Sequence, residues 1–174
     1  GPGNPPVVVD ETADIEKAAR DIIAGASLDN NIVCIAEKEI IAVRSIVSEL
    51  KTALEHAGAV EVKGPAAEKL SNLIFDQGST PGKHAPVARD LIGKNVDVIL
   101  ERAGIPCPPG TRMAFMETDR SHPLVWSEQM MPVLPLVAVD TADHAIHASQ
   151  ADRADTAEYA MSGPGAGGDA DWVI

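Results

Sequence analysis

The 174-residue chain predicts an α/β domain whose sheet is open, largely parallel and covered by helices on both faces, and three observations predict it. Short β-branched runs alternate with amphipathic stretches at the spacing of strand–helix units. The core has to be aliphatic, because 45% of the residues are hydrophobic and only 3% aromatic. The length suits one domain, large enough to bury that core without disulfide or metal staples.

The opening "GPGNPP" is too dense in glycine and proline for regular structure, and "VVVD" after it suits a buried strand. In "DETADIEKAARDIIAGASL", Ile15, Ala18, Ala19, Ile22, Ile23 and Ala26 recur at three and four, which predicts an amphipathic helix of about 14 residues capped by Thr12 or Asp14. The helix should stop between Ser27 and Asn31, since Asn and Asp favour turns and Asn tolerates left-handed φ. "EIIAVR" reads as the next strand, and "SIVSELKTALEHAG" as a helix with Ser45 or Ser48 near its start and Gly58 past its end. "PAAEKLSNLIF" is a further helix, and "DQGSTPGKHAPVARD" is a surface loop by its turn residues. Helical spacing resumes in "GKNVDVILERAG", and "TRMAFMET" and "VLPLVAVD" are the later strands. After about Gln150 no period is sustained, so 151–174 is expected to be an irregular, mobile tail behind a domain spanning 1–150. No internal repeat is present.

The formal net charge of −12 would repel a phosphate backbone, and no Lys/Arg cluster reverses that average, so nucleic acid is excluded as a partner. The acidity is a solubility feature. The longest apolar run, "VLPLVAV", is far below the roughly 20 residues that span a bilayer. Two cysteines, Cys34 and Cys107, match no metal knuckle or disulfide framework, and a reducing cytoplasmic compartment follows. The start carries no signal-peptide pattern and no initiator Met, which reads as a fragment or a processed chain.

Cys34 stands in "SLDNNIVCIAEKE", in a tight turn just beyond a helix. A free Cys is usually a small inert hydrophobe. A turn, in contrast, exposes backbone N–H groups that can hold an oxyanion and gives a nucleophile the access that a strand interior denies. Both readings stand on the residues alone. Cys107, in the proline-pinned "IPCPPG", reads as structural. His84, His144 and His147 have no metal-ligand spacing, and 144 and 147 read as a solvated helix face, so no metal site is expected.

The stretch "GPGNPPVVVDETADIEKAARDIIAGASLDNNIVCIAEKEIIAV" resembles the catalytic domain of the aldehyde dehydrogenase superfamily, specifically its CoA-acylating branch, the acetaldehyde and propionaldehyde dehydrogenases of ethanolamine and propanediol utilisation. "AGIPCPPGTRMAFMETDRSHPLVWSEQMMPVLPLVAVDTADHAI" resembles the same branch. The resemblance covers most of 1–146, and "GNPP", "DNN-x-x-C-x-x-EK" and "E-x-MMPVLP" are its specific motifs. It implies that Cys34 attacks an aldehyde carbonyl, passes hydride to NAD from a thiohemiacetal and carries the acyl group as a thioester to coenzyme A. The oxyanion would be held by the Cys34 N–H and by an Asn from a segment this chain does not contain.

Hydrolytic relatives carry Gly three residues before the nucleophile, where Asn31 stands here and can take the same positive φ. Their general-base Glu aligns immediately before Gly1 and is typically absent from the acylating branch, consistent with deacylation by a thiol and not by water. Glu128 matches the carboxylate that accepts hydrogen bonds from the nicotinamide ribose, with Met130 and Met131 replacing the Phe and Gly of hydrolytic relatives. A solvated loop carboxylate is the plainer account of Glu128. Asn31 and His122 of "SHPLVW" fall in the substrate and CoA vicinity, although a locally bonded loop histidine also fits His122.

The function implied is an NAD-dependent CoA-acylating aldehyde dehydrogenase acting on a short aliphatic aldehyde, homo-oligomeric at full length, and located in the cytoplasm, either free or inside a bacterial microcompartment. The NAD-binding domain is not recognisable in this chain, so the isolated fragment is expected to be inactive. The alternatives left open are a non-catalytic remnant serving as an assembly or interaction module, and a Cys acyltransferase that uses no nicotinamide.

Overall fold

The computed structural model describes residues 3–75 and 85–141. Five parallel strands, β1 (Pro6–Val9), β2 (Glu39–Val43), β3 (Ala59–Glu61), β4 (Met113–Thr118) and β5 (Val133–Val139), form one sheet in the order β1-β2-β5-β4-β3. The helices are α1 (Ile15–Ala26), α2 (Val47–His56), α3 (Pro65–Ile74), α4 (Val96–Arg102) and the single turn α5 (Pro123–Trp126). The expected open parallel sheet with helices on both faces is what the chain forms. The expected tail, His84, His144 and His147 lie outside the described residues.

Strand periodicity divides the core in two. Met113 and Phe115 of β4 and Leu134 and Leu136 of β5 point to the face covered by α1 and α2, where Ile22, Ile23, Leu50 and Leu54 meet them. Ala114, Met116 and Val133 point the other way, onto Leu70 and Ile74 of α3 and Ile99 and Leu100 of α4. Asp14 caps α1, accepting from the Lys17 N–H at 2.9 Å. Neither Ser45 nor Ser48 caps α2: Arg44–Ile46 forms a 3₁₀ turn that leads directly into it, and the N-cap is Ile46, without a side-chain bond.

Two elements were not anticipated. β3 is only three residues long, below the length at which alternation is detectable, and exists because β4 pairs with it. α5 is one turn started by Pro123 behind a His122 cap. Pro135 lies inside the central strand β5, where proline is unusual. It pairs there with Met116 of β4, one residue before the register with β2 begins at Ile40↔Leu136.

At the carboxyl ends of the strands a groove of about 1180 Å³ runs past Arg44, Lys51, Glu61, Lys63, Glu117 and Asp140. Glu61, with its side chain 3% exposed, is held by Lys51 at 2.9 Å and Lys63 at 2.7 Å, and Lys51 also pairs with Glu117. Burial alone would push the Glu61 carboxyl up, but the two ammonium groups together hold it below the usual Glu range. A lowered folded-state pKa contributes stability above the unfolded-state pKa of about 4.3 and loses it as pH falls through the folded value. Glu61→Gln should therefore cost about 1–3 kcal/mol at pH 7, and urea unfolding at a series of pH values should show the gap to the parent chain closing on acidification. A gap independent of pH would refute this account.

Candidate active site

The site assembles at the amino ends of β1, β2 and β5, opposite the groove. Three segments meet there: 27–38 leading into β2, 127–132 leading into β5, and 3–5 leading into β1. Asp29, Asn30 and Asn31 take left-handed φ of 47°, 52° and 63° in succession. Three such residues in a row are costly for any side chain other than Gly, and Asn and Asp are the least penalised. The side chains hold the turn. Asn30 Nδ2 donates to Gly93 O at 3.0 Å and to Asn95 Oδ1 at 2.8 Å. Asn31, fully buried, donates from Nδ2 to Ala26 O and Glu37 O, both at 2.9 Å.

This bend projects Cys34 outward, exposed, with Ile32 and Ile35 beside it at 43% and 83% exposure. Among the described residues no intramolecular acceptor takes the Cys34 N–H. An exposed sulfur beside a free amide is the arrangement a nucleophile and its oxyanion donor require. Gly3 runs against the back of the turn, where a Cβ would overlap the Cys34 carbonyl oxygen and lie 3.1 Å from the Cys34 Cβ.

Lys38 is fully buried, and its Nζ donates to Asn31 O and Asn31 Oδ1, both at 2.5 Å. Its own N–H donates to Pro5 O at 2.9 Å, and its carbonyl accepts from Gln129 Nε2 at 2.7 Å. Gln129 is buried too and donates a second time, to Val133 O at 3.1 Å. Burial pushes the Lys38 pKa down, while the charges of Glu128 and Cys34 oppose the shift. Half-buried Glu128 and exposed Cys34, both singled out in the sequence, thus lie near the same buried ammonium. Met130, at φ 47°, accepts from the Gly93 N–H at 3.0 Å, so the 93–95 segment braces both loops.

His122 is engaged elsewhere. Its Nδ1 accepts from the Leu124 N–H at 3.2 Å and its Nε2 meets Ser71 Oγ at 3.1 Å, fastening α5 to α3. Burial lowers its pKa against the opposing pull of Asp119, and a neutral ring with the proton on Nε2 suits both contacts. Asn4 Nδ2 ties the same turn to the chain beside Gly3 by donating to Val125 O at 2.7 Å. Cys107 is partly buried against the α3–α4 core and lines a cavity of about 420 Å³ shared with Ser27, Asn30 and Asn95. Among the described residues no group of three or more His, Cys, Asp or Glu could hold a metal, and no helix is long and apolar enough to cross a membrane.

The sequence singled out Asn31, Cys34 and Glu128, which the structure sets on these loops, and gave no role to Lys38, Gln129, Gly93 and Asn95. Lys38 ends the motif DNN-x-x-C-x-x-EK and stands directly before an apolar strand, a position normally occupied by something less costly to bury.

A parallel α/β domain presenting an exposed cysteine on a strand-entry bend has a place for thiol chemistry, and comparison with known proteins narrows the class. No family model matches the chain. It is 44% identical over 137 residues to the acetaldehyde dehydrogenase (acetylating) EutE of Salmonella typhimurium, an alignment covering 79% of this chain and 29% of that protein. It is 41% identical to the propanal dehydrogenase (CoA-propanoylating) of Citrobacter freundii, over 79% of this chain and 28% of the relative. Among solved structures, Rhodopseudomonas palustris propionaldehyde dehydrogenase with bound propionyl-CoA matches with a TM-score of 0.80 and 44% identity, across 89% of this chain and 33% of that one. The chain belongs to the aldehyde dehydrogenase superfamily, in its CoA-acylating acetaldehyde and propionaldehyde dehydrogenase branch. It spans about 29% of the length of the curated relatives it matches.

Gly3→Ala should cost about 1–3 kcal/mol by overpacking and displace the turn behind Cys34. Urea unfolding and the rate of Cys34 alkylation measure the two effects, and an unchanged rate would show that Gly3 does not set the sulfur's position.

Proposed function

We propose that this chain is the substrate-binding catalytic domain, 1–150, of an NAD-dependent, CoA-acylating aldehyde dehydrogenase that converts a short aliphatic aldehyde to acyl-CoA, with Cys34 as nucleophile. The observation that carries the reading is exposed Cys34 on a left-handed bend, with an amide that no acceptor takes among the described residues. A related Rhodopseudomonas palustris structure contains bound CoA and an acylated cysteine, and an engineered glycolyl-CoA reductase 45% identical to this chain contains NADP+.

The residues fit this chemistry. The Cys34 sulfur adds to the aldehyde carbon, and the carbonyl oxygen, taking the negative charge, accepts from the Cys34 N–H. As the oxyanion collapses, the hydrogen leaves that carbon as hydride and Cys34 is left holding a thioester. Attack by an external thiol on the thioester carbon then releases acyl-thioester product and restores the free Cys34 sulfur. When bound, NAD supplies the hydride acceptor and coenzyme A the thiol. Glu128, half-buried on the loop locked by Gln129, is the carboxylate that would accept from the ribose hydroxyls of the dinucleotide. Ile32 and Ile35 present apolar surface suited to an aliphatic substituent.

The dinucleotide domain belongs to the protein beyond this segment in the same reading, as do homo-oligomerisation and a cytoplasmic setting. Packaging in a microcompartment is supported by a 41% identical propionaldehyde dehydrogenase from the Clostridium phytofermentans fucose-utilisation microcompartment.

In the full-length protein, a limiting alkylator at neutral pH should label Cys34 ahead of Cys107, at a rate that NAD changes. Acyl-CoA should leave an acyl group on Cys34 by mass spectrometry, and Cys34→Ser should abolish both the adduct and aldehyde-dependent NAD reduction. An adduct without any NAD reduction in the presence of aldehyde and coenzyme A would instead mark a Cys acyltransferase. Glu128→Ala should weaken NAD binding by about 1.5–3 kcal/mol, the range of a lost charge-assisted hydrogen bond, with the rate of Cys34 acylation from acyl-CoA unchanged. Titration of NAD against the variant checks this, and unaltered affinity would remove Glu128 from the cofactor site.

A further inference from the structure

Lys38 is among the largest fully buried side chains of the described residues, and the others of that set are Phe, Ile and Leu. Burying an ammonium costs several kcal/mol after relaxation, and an apolar side chain of similar volume is often the more stable solution. Its retention at the entry to β2 therefore asks for a reason beyond packing. Two of its N–H donors reach the Asn31 backbone oxygen and side-chain oxygen, so one cation closes both acceptors of the last left-handed residue. The other face of Asn31 donates back to Ala26 O and Glu37 O, tying the end of α1 to the residue just before Lys38. The Lys38 peptide unit meanwhile bonds Pro5 on one side and Gln129 on the other, so all three segments of the site are joined through this residue.

The geometry points to Lys38 as the positioning residue of the site: its buried ammonium, clamped on both oxygens of Asn31, fixes the bend that presents Cys34, and its carbonyl, through Gln129, keeps the Glu128 loop in register with that bend. This rests on the reading of Cys34 as nucleophile. Asn31 and Lys38 act as one unit. A Gly at position 31 permits the same φ but supplies neither the Oδ1 acceptor nor the two Nδ2 donors, so the positive φ alone does not explain the asparagine. The burial-driven fall in the Lys38 pKa, opposed by Glu128 and Cys34, agrees with a buried cation near both groups.

The test is a double-mutant cycle in the full-length protein with Lys38→Met, Asn31→Gly and the two combined. Each single variant should lower kcat and the alkylation rate of Cys34 by about tenfold to a hundredfold, the scale of a slightly misplaced reacting group. Alkylation of Cys107 should stay within about twofold, because that loop is outside the clamp. The double variant should be no slower than the slower single variant by more than about twofold, as expected of residues that work as a unit. Multiplicative losses would overturn the pairing, and parental Cys34 alkylation with parental kcat in Lys38→Met would overturn the positioning role. So would losses at Cys34 and Cys107 in equal proportion, which mark general loosening. Should Lys38→Met fail to fold, Asn31→Gly decides alone: a selective loss at Cys34 supports the clamp, and parental kinetics refutes it. Cys34→Ser that still turned over would sink the nucleophile reading itself, whatever the cycle showed.

Discussion

The contact on which the site depends is the double hydrogen bond from the Lys38 ammonium to Asn31, at 2.5 Å to each oxygen. Asp29, Asn30 and Asn31 hold a backbone conformation that costs about a kilocalorie or more per residue outside glycine, and something must offset it. Side-chain amides do so locally, but they only complete a turn. The ammonium anchors that turn to the start of β2 and, through Gln129, to the start of β5. A rigid sheet margin thus becomes the reference frame for one exposed sulfur.

That arrangement places the candidate site at the amino ends of these strands. Open α/β sheets usually bind ligands beyond the carboxyl ends of their strands. Here the carboxyl edge holds a large groove, but Glu61, Lys51, Lys63 and Glu117 neutralise one another in it. At the amino edge, entry loops are braced by polar side chains from three directions, and the backbone N–H groups of a bend face outward. The proposed function rests on the bend grafted onto the sheet, not on the sheet order.

His122 and Gly3 show two ways in which a residue near the candidate site shapes the segments around it. His122 caps α5 and grips Ser71, so its imidazole organises the turn that Asn4 ties to the first strand. Gly3 serves by lacking a Cβ, which lets the lead-in to β1 press against the Cys34 carbonyl. Both roles depend on shape complementarity between segments more than 30 residues apart in sequence, or more than 50 in the case of His122 and Ser71.

Much of this protein was determined by its sequence alone. Aliphatic alternation with helical stretches implied a parallel α/β sheet because strand and helix periods are local properties of the chain. The placement of Cys34 beyond α1, and a positive φ at Asn31, followed from turn chemistry that also acts over a few residues. Only the tertiary structure decided the rest. β3 required a partner strand to exist, Ser45 and Ser48 lost the α2 cap to a 3₁₀ lead-in, and Pro135 was admitted to a central strand by the register of its neighbours. The Lys38 ammonium meets oxygens only 7 positions away, whereas the bond from Gln129 to the Lys38 carbonyl spans 91. No local pattern encodes that second contact, because only the fold brings the entry to β5 beside the entry to β2.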